Sequence, residues 1–268
     1  MEVLTDPGHG GRWTSLRHGG REWLWRREDT GRDGAAPGDA FVDAGGLEEC
    51  VPTVRGTPDH GDAWSRAWTR DGNTERVRCE RFTLTRELST TADGVHADYV
   101  LTAEPGFRFL WAAHALLDLS EEAVVTLREA APTRLFPEAA GLLDRPWPDG
   151  ARWLEDAWPE PLGLRMDRFG PDDGTAAGAV VAAERCCVHD GADRLAFAVE
   201  ADGQPVSVAL WRNLGGFPAD RPYRSTGVEP MLGRVFDLAD AGPDDAARVG
   251  ATGEVRWRLT VTAACPCP

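Results

Sequence analysis

The sequence predicts an all-β fold built from many short antiparallel strands. Short apolar or alternating runs recur along the chain and are bounded by turn residues, which is typical of strands that bury one face. The 30 Gly and 19 Pro are spread out instead of forming a linker, and no segment has convincing helical periodicity. A chain of 268 residues can form one large β-sandwich, so we expect a single domain over residues 1–268.

The individual strands follow from these runs in chain order. In the segment 194–200, for example, Leu195, Phe197 and Val199 fall on one face, which is the period of a half-buried strand. The predicted strands are Arg12–Leu16, Glu22–Trp25, Arg76–Leu88, Val95–Ala103, Phe107–Ala113, Ala123–Arg128, Ala179–Val188, Arg194–Glu200, Val206–Trp211 and Glu254–Ala263. Two stretches, Asp29–Gly38 and Phe136–Asp173, are predicted to be loops, the second ordered by its own tryptophans.

Composition and charge exclude several classes of function. A net charge of -15 disfavours nucleic acids and anionic membrane surfaces, because clustered basic residues bind both. All 29 basic residues are Arg, so chemistry that depends on a lysine amine, such as Schiff-base or P-loop chemistry, is excluded. The segment 1–11 is polar and glycine-rich, unlike a secretory signal, and no apolar run is long enough to cross a bilayer. We therefore expect a cytoplasmic protein.

The cysteines are predicted to be reduced thiols that bind no metal. They are too few for a dense disulfide framework, and the lack of a signal pattern indicates a reducing compartment. Neither the adjacent pair nor the pair in the last residues has the Cys-x-x-Cys spacing typical of structural zinc. The six are Cys50, Cys79, Cys186, Cys187, Cys265 and Cys267.

The segment 45–68 combines polar side chains with tryptophans. It contains the carboxylates of Glu48 and Asp59, the imidazole of His60, the indole of Trp64 and the guanidinium of Arg66. A sugar site needs this mixture, since polar groups bind the hydroxyls and an aromatic face covers the C–H surface. The alternative is a loop held by an Asp–His turn, with its tryptophans packed in the core.

Two further segments place an ionisable side chain in an apolar run. His114 interrupts the apolar segment 107–119; such a residue is either a hydrogen-bonded core histidine or a general acid. Glu229 lies in an apolar run before Pro230, downstream of Trp211. Burial there would raise the pKa of Glu229 and make it a candidate proton acceptor. The alternative to this catalytic role is a carboxylate that caps a turn.

In their order along the chain, these segments resemble the aldose 1-epimerase, or galactose mutarotase-like, superfamily. The segment 11–25 resembles the first β-hairpin of that family, Asp59–Gly61 its first histidine motif and Trp111–His114 its second. Val228–Met231 resembles the strand that carries the catalytic glutamate. The likeness extends from residue 11 to about residue 238, and the His60 motif is most similar to that of uncharacterised bacterial members.

The resemblance implies a large twisted antiparallel β-sandwich, the supersandwich of this superfamily, with a carbohydrate-like small molecule on an open concave face. It implies catalysis without a metal or other cofactor, by a monomer or weak homodimer. Glu229 would be the general base, His114 would protonate the ring oxygen and His60 would orient the sugar. The residues predicted to bind substrate are Glu48, Asp59, Trp64, Arg66 and Trp211.

Three hypotheses of function remain open at this point. The chain is an aldose 1-epimerase-like isomerase, a carbohydrate-binding module without catalysis, or an acid–base enzyme acting on a specialised metabolite in a more apolar cleft. The sequence does not assign the family's substrate-holding Asp and Arg to particular positions; the candidates are Arg66, Arg108, Asp118 and Asp173.

Overall fold

The computed structural model describes residues 1–265, and β-strands make up most of its regular structure. In chain order the strands are β1 (Glu2–Asp6), β2 (Arg12–His18), β3 (Arg21–Glu22), β4 (Leu47–Cys50), β5 (Thr69–Asp71), β6 (Thr74–Arg78), β7 (Phe82–Thr90), β8 (Gly94–Ala103), β9 (Arg108–Phe109), β10 (Trp111–Leu117), β11 (Val124–Thr126), β12 (Pro132–Leu135), β13 (Leu154–Ala157), β14 (Thr175–Val181), β15 (Arg185–Asp190), β16 (Asp193–Glu200), β17 (Val206–Leu214), β18 (Arg224–Leu232), β19 (Ala247–Arg248) and β20 (Glu254–Thr262). A single helical turn, α1 (Thr30–Asp33), and three 3-10 turns, Pro137–Leu142, Pro161–Gly163 and Leu238–Asp240, lie between them.

The strands form two large antiparallel sheets. The ten-stranded sheet has the order β1-β2-β4-β10-β18-β17-β14-β12-β13, with β3 paired to β2. The eight-stranded sheet has the order β11-β15-β16-β20-β8-β7-β6-β5, and β9 pairs with β19 separately. The predicted all-β antiparallel architecture is confirmed.

The main core lies between the two sheets. Tyr99 of the eight-stranded sheet contacts Trp111 of the ten-stranded sheet, with ring centroids 4.9 Å apart, and stacks on Trp257 at 5.0 Å. The alternation predicted for β16 is present, since its inward side chains, Leu195, Phe197 and Val199, are at most 2% exposed. Alternation along each strand thus directs one row of side chains into this core and the next row to the opposite face.

A buried polar network also joins the sheets. Arg86 of β7 donates to Glu49 of β4 and to Glu75 of β6, and both Arg86 and Glu49 are fully buried. Glu49 also accepts hydrogen bonds from the Tyr99 hydroxyl at 2.8 Å and the Trp111 indole N–H at 2.7 Å. Each charge in the network therefore has an opposite charge or a donor beside it, as burial requires.

Several predicted elements differ from the structure. The run 22–25 contains only the last residue of β3, the run 107–113 contains β9 and the start of β10, and the predicted loop 136–173 contains β13 and two 3-10 turns. The run 76–88 contains two strands, β6 and β7, and the run 179–188 contains β14 and β15, which belong to different sheets. In the second run the connection is Ala182, Ala183 and Glu184, which contains no Gly, Pro, Asp or Asn to mark a turn. The predicted loop 29–38 contains α1, whose Arg32 is buried.

The prediction that all cysteines are thiols is wrong for one pair. Cys187 of β15 is bonded to Cys265, which follows β20. The sheet order β15-β16-β20 brings together two residues that are 78 positions apart in sequence, which spacing alone does not reveal. Cys50, Cys79 and Cys186 are buried free thiols, and Cys267 lies outside the described residues.

Among the described residues, no helix has the length and apolar character needed to cross a membrane.

Candidate functional site

Three ionisable side chains form a row across the ten-stranded sheet. Glu48 of β4 pairs with His114 of β10. On the other side, β18 pairs with β10 in one register before and after His114, and this register places Glu229 opposite His114. His114 Nε2 is 3.6 Å from Glu229 Oε1. Because Glu49 points into the core, the preceding Glu48 points to the other face. The row therefore lies on the face turned away from the eight-stranded sheet.

Glu229 is a buried carboxylate with one unpaired oxygen. Its side chain is 2% exposed, and among residues 1–265 no hydrogen-bond partner reaches Oε2. Gly227, two positions earlier on the same face, leaves room for Oε1, since a Cβ there would lie 2.5 Å from that oxygen. Burial raises the pKa of Glu229, and the charges of His114 and Arg55 oppose the rise. Such a carboxylate is suited to accept a proton near neutral pH.

His60 is held by a tight turn between β4 and β5. Its φ of 59° lies in the left-handed region, and its N–H donates to the Val54 carbonyl at 3.0 Å. Gly61 forms an isolated bridge with Val51, and a Cβ at Gly61 would lie 2.1 Å from the Val51 oxygen. Only glycine allows this close approach. The turn thereby fixes His60 beside the end of β4.

The imidazole of His60 is neutral at pH 7. Burial lowers its pKa to about 4, although its hydrogen bond to Asp59 opposes the shift. His60 Nδ1 lies 3.0 Å from Asp59 Oδ1, and because a carboxylate only accepts, Nδ1 donates and Nε2 is left as an acceptor. The His60 and His114 rings are nearly perpendicular, with centroids 5.0 Å apart. His60 can therefore accept a hydrogen bond from a ligand hydroxyl next to His114 and Glu229.

Phe41 covers this group of side chains. Its ring stacks on His60 with centroids 3.5 Å apart, and its edge meets Trp64 at 5.0 Å and His114 at 5.9 Å. With Phe41 in this position the His114 side chain is only 10% exposed and that of Glu229 only 2%. A substrate can reach the His–Glu pair only after the segment 34–46, between α1 and β4, moves aside.

We predict that a Phe41→Ala variant exposes both imidazoles. An aromatic pair such as Phe41 and His60 contributes about 0.5–1.5 kcal/mol. Losing it should shift the balance toward conformations with accessible imidazoles by the same free energy, which corresponds to up to about tenfold. The rate at which diethyl pyrocarbonate modifies His60 and His114, followed by peptide mass spectrometry, measures this gain. Phe217→Ala is the control, because Phe217 is 53% exposed and packs on Trp211. Equal rates in wild type and Phe41→Ala would show that Phe41 does not close the site.

Glu48 lies beside His114, but its carboxylate is bound by arginine. Arg32 donates to it from Nε at 2.8 Å and from Nη2 at 3.0 Å, and both side chains are at most 2% exposed. Arg12 Nε lies 3.9 Å from the same carboxylate. Burial raises the pKa of Glu48, and Arg32 opposes the rise. The part of Glu48 in substrate binding remains a prediction.

Asp59 and Trp64 form one wall of the site. Asp59 is half exposed and holds His60, while the indole N–H of Trp64 donates to the Asp59 carbonyl at 3.2 Å. The Trp64 side chain is 1% exposed and lies under the edge of Phe41. In this arrangement the indole supports the His60 turn, and its face is not open to a sugar.

Trp211 and Arg66 lie in different places. Trp211 of β17 pairs with Gly227 of β18, which places its indole on the face of the row and close to the Glu229 carboxylate. Arg66 lies near Cys79, where burial raises the pKa of the thiol to about 12 and Arg66 opposes the rise. The structure therefore groups Trp211 with His114 and Glu229, and places Arg66 near the turn between β6 and β7.

Arg55 is a candidate that the sequence analysis missed. Its guanidinium lies over the Phe236 ring at 4.3 Å and near the Trp211 ring at 5.4 Å, and it pairs with Glu138. Its charge also opposes the rise in the Glu229 pKa. Arg55 is one-third exposed, so it can turn toward a ligand. Its position depends on loop packing, and no motif marks it.

Asp43 and Tyr223 form a second missed pair. The Tyr223 hydroxyl donates to Asp43, and the Tyr223 ring stacks on Trp25 with centroids 5.6 Å apart. The negative charge of Asp43 acts to raise the pKa values of Glu229 and His60. Asp43 therefore lies close enough to influence both site residues, although it belongs to an irregular segment without a sequence signal.

The remaining candidates for holding a substrate make contacts elsewhere. Arg108 donates to backbone carbonyls of the segment 241–242, beside the β9–β19 pair. Asp173 lies 3.6 Å from Arg212 Nη2, and Asp118 is exposed after the end of β10. These contacts hold the three side chains in other parts of the fold.

The sequence matches no protein-family model and no curated protein. Solved structures do resemble the chain over most of its length. A protein of Synechocystis sp. PCC 6803 has a TM-score of 0.70 at 14% identity, covering 98% of this chain and 92% of that one. A galactose mutarotase related enzyme of Lactobacillus acidophilus has a TM-score of 0.63 at 12% identity, with coverage of 98% and 94%.

A galactose mutarotase-like protein of Lactobacillus casei has a TM-score of 0.59 at 15% identity, with coverage of 95% and 94%. At such low identity the likeness concerns the fold. The resemblance predicted from the sequence is confirmed at that level: the chain has the galactose mutarotase-like β-sandwich fold.

Proposed function

We propose that the protein is an isomerase that interconverts the anomers of an aldose or a related cyclic hemiacetal by acid–base ring opening. One observation carries this proposal. Glu229, with an unpaired buried oxygen, lies 3.6 Å from the imidazole of His114. A proton acceptor and a proton donor placed side by side are what opening a hemiacetal ring requires. The fold supports the proposal, because a galactose mutarotase related enzyme shares it.

The proposed reaction moves only protons and electron pairs. Glu229 takes the proton of the anomeric hydroxyl, and the electron pair of that O–H bond forms the C=O bond of the aldehyde. The bond from C1 to the ring oxygen breaks, and its electron pair stays on the ring oxygen. His114 gives its proton to that ring oxygen. After rotation about the C1–C2 bond the steps run in reverse on the other face. His60 accepts a hydrogen bond from a sugar hydroxyl through Nε2 and orients the ring.

Anomer interconversion, followed by polarimetry or NMR after a single anomer is dissolved, tests the proposal. We expect the wild type to accelerate mutarotation of at least one free aldose in a panel of hexoses and pentoses. No acceleration for any sugar would contradict it. Sugar binding without acceleration, detected by saturation-transfer NMR, would instead support a carbohydrate-binding module.

The pH dependence of kcat/KM should reflect the burial of Glu229. Burial raises its pKa above the ordinary value of 4.5; below the raised pKa the carboxyl is protonated and cannot accept a proton. Activity is therefore expected to fall, as the pH is lowered, at a pH above 4.5.

His60, with a pKa of about 4, should add no limb to the profile between about pH 5 and pH 8. His60→Asn keeps a residue that tolerates the left-handed backbone and should leave the acid limb in place. A profile that stays flat below pH 4.5 would exclude Glu229 as the base.

A second candidate function is favoured by the aromatic lining. Phe41 packs on His60 and His114, and Trp211 lies on the face of the row. Such surfaces suit a substrate with an apolar group. The same acid–base pair would then open a cyclic hemiacetal of a specialised metabolite. A higher kcat/KM for hemiacetals with an aromatic substituent than for free aldoses would favour this function.

A further inference from the structure

A cluster of metal-binding side chains lies on the eight-stranded sheet. The ligand atoms of Cys187, His189 and Cys265 all lie within 4.8 Å of one another. Cys187 and His189 are alternate residues of β15, so their side chains are on the same face. Cys187 pairs with Ala196 of β16, and Ala196 pairs with Thr262 of β20. Cys265 follows three residues later and returns to the same face.

The three ligand atoms, which lie within 4.8 Å of one another, are close enough to reach one zinc ion once the two sulfurs are no longer bonded. Zn–S bonds of about 2.3 Å and Zn–N bonds of about 2.0–2.1 Å place the ligands of a tetrahedral site about 3.5 Å apart. The two cysteines are joined as a disulfide in this structure, with Cα atoms 6.1 Å apart. A dithiol that reduces this bond, and is itself oxidised to a disulfide, leaves two separate thiols beside His189.

We propose that Cys187, Cys265 and His189 bind Zn²⁺ when the Cys187–Cys265 disulfide is reduced. The ion takes the place of the two thiol protons, which pass to solvent, and the imidazole contributes a neutral nitrogen. Two thiolates and an imidazole favour Zn²⁺ over the hard cations Mg²⁺ and Ca²⁺. Zinc takes four ligands, so these three side chains leave one position for a further ligand.

The surroundings allow an ion to enter. Thr260, Thr262, Ala264 and Cys265 border a groove of about 430 Å³ on the sheet surface, so Cys265 is reachable from solvent. The prediction from sequence that the cysteines bind no metal depended on the absence of a Cys-x-x-Cys pair. Here the ligands come from two strands that are distant in sequence, as occurs in sites formed by folding.

The proposed role of the ion is to fasten the segment after β20 to β15. The site belongs to the eight-stranded sheet, whereas His114 and Glu229 lie on the outer face of the ten-stranded sheet. Zinc should therefore raise the thermal stability of the reduced protein without taking part in the reaction proposed above.

Titration of reduced, metal-free protein with Co²⁺ and then Zn²⁺ tests the site. We expect a stoichiometric Co²⁺ complex with thiolate charge-transfer bands and the visible absorption of tetrahedral Co²⁺, both lost when Zn²⁺ displaces it. Cys187→Ser, Cys265→Ser and His189→Ala should each weaken Zn²⁺ binding by about a hundredfold, as expected for losing one ligand of a structural site.

Cys186→Ala is the matched control, since this neighbouring free thiol points to the opposite face of β15. It should bind Zn²⁺ as the wild type does. A chelator should lower the Tm of the reduced, zinc-loaded protein and leave that of the disulfide form unchanged. The proposal would be overturned if the reduced wild type took up no Co²⁺, or if Cys265→Ser and His189→Ala both bound Zn²⁺ with unchanged affinity. Because His189 is partly exposed, its variant tests the site even if a cysteine variant does not fold.

Discussion

A Glu229→Gln enzyme is expected to interconvert anomers about two to four orders of magnitude more slowly than the wild type, which is the usual contribution of a general base. Glutamine has the size of glutamate and fits beside Gly227, but its amide cannot accept the anomeric proton. Because the change removes an interaction of the transition state, kcat should fall while KM changes little.

The measurement is single-anomer NMR with wild type and variant at the same pH. Glu155→Gln is the matched control, because Glu155 belongs to the same sheet but is 68% exposed and pairs with Arg134. It should retain full activity. A fully active Glu229→Gln enzyme would show that another group is the base, and the binding or specialised-metabolite hypotheses would then take precedence.

Replacing Arg86 by methionine is expected to destabilise the fold by about 3–5 kcal/mol, the typical effect of removing one partner from a buried ion pair. Glu49, which is fully buried, would be left without a counter-charge, and the buried Glu75 would keep only Arg70. The midpoint of urea unfolding, followed by tryptophan fluorescence, measures the loss.

Arg258→Met is the control, because Arg258 pairs with Asp98 at the surface and both side chains are almost half exposed. Such pairs contribute at most about 1 kcal/mol. If Arg86→Met yields no folded protein, a variant that also carries Glu49→Gln and Glu75→Gln should recover part of the stability, since no buried charge is left unpaired. A midpoint for Arg86→Met equal to that of the control would contradict the role of the network.

The sequence was informative where side chains lie in strands. His114 and Glu229 stand out because each interrupts an apolar run, and the pairing of β10 with β18 brings them together. Strand pairing is a regular geometry, so an alternating pattern and the order of motifs are enough to predict which faces meet. Their roles in catalysis remain predictions that the Glu229→Gln experiment tests.

The parts that could not be predicted depend on loops. Phe41 and Arg55 reach the site from irregular segments whose course depends on turns and on packing against other loops, and hydropathy does not encode that course. The division of the run 179–188 between two sheets was hidden for a related reason. The three residues that connect these strands include none of the usual turn residues.

Adjacent carboxylates in β4 have a consequence for how this scaffold tolerates change. Glu48 is bound by Arg32 on one face, and Glu49 by Arg86 on the other. A slip of β4 by one residue would exchange the two faces and separate both carboxylates from their arginines. Exchange of loops other than the segment that carries Arg32 should therefore leave β4 aligned with β10 and His114 in its place.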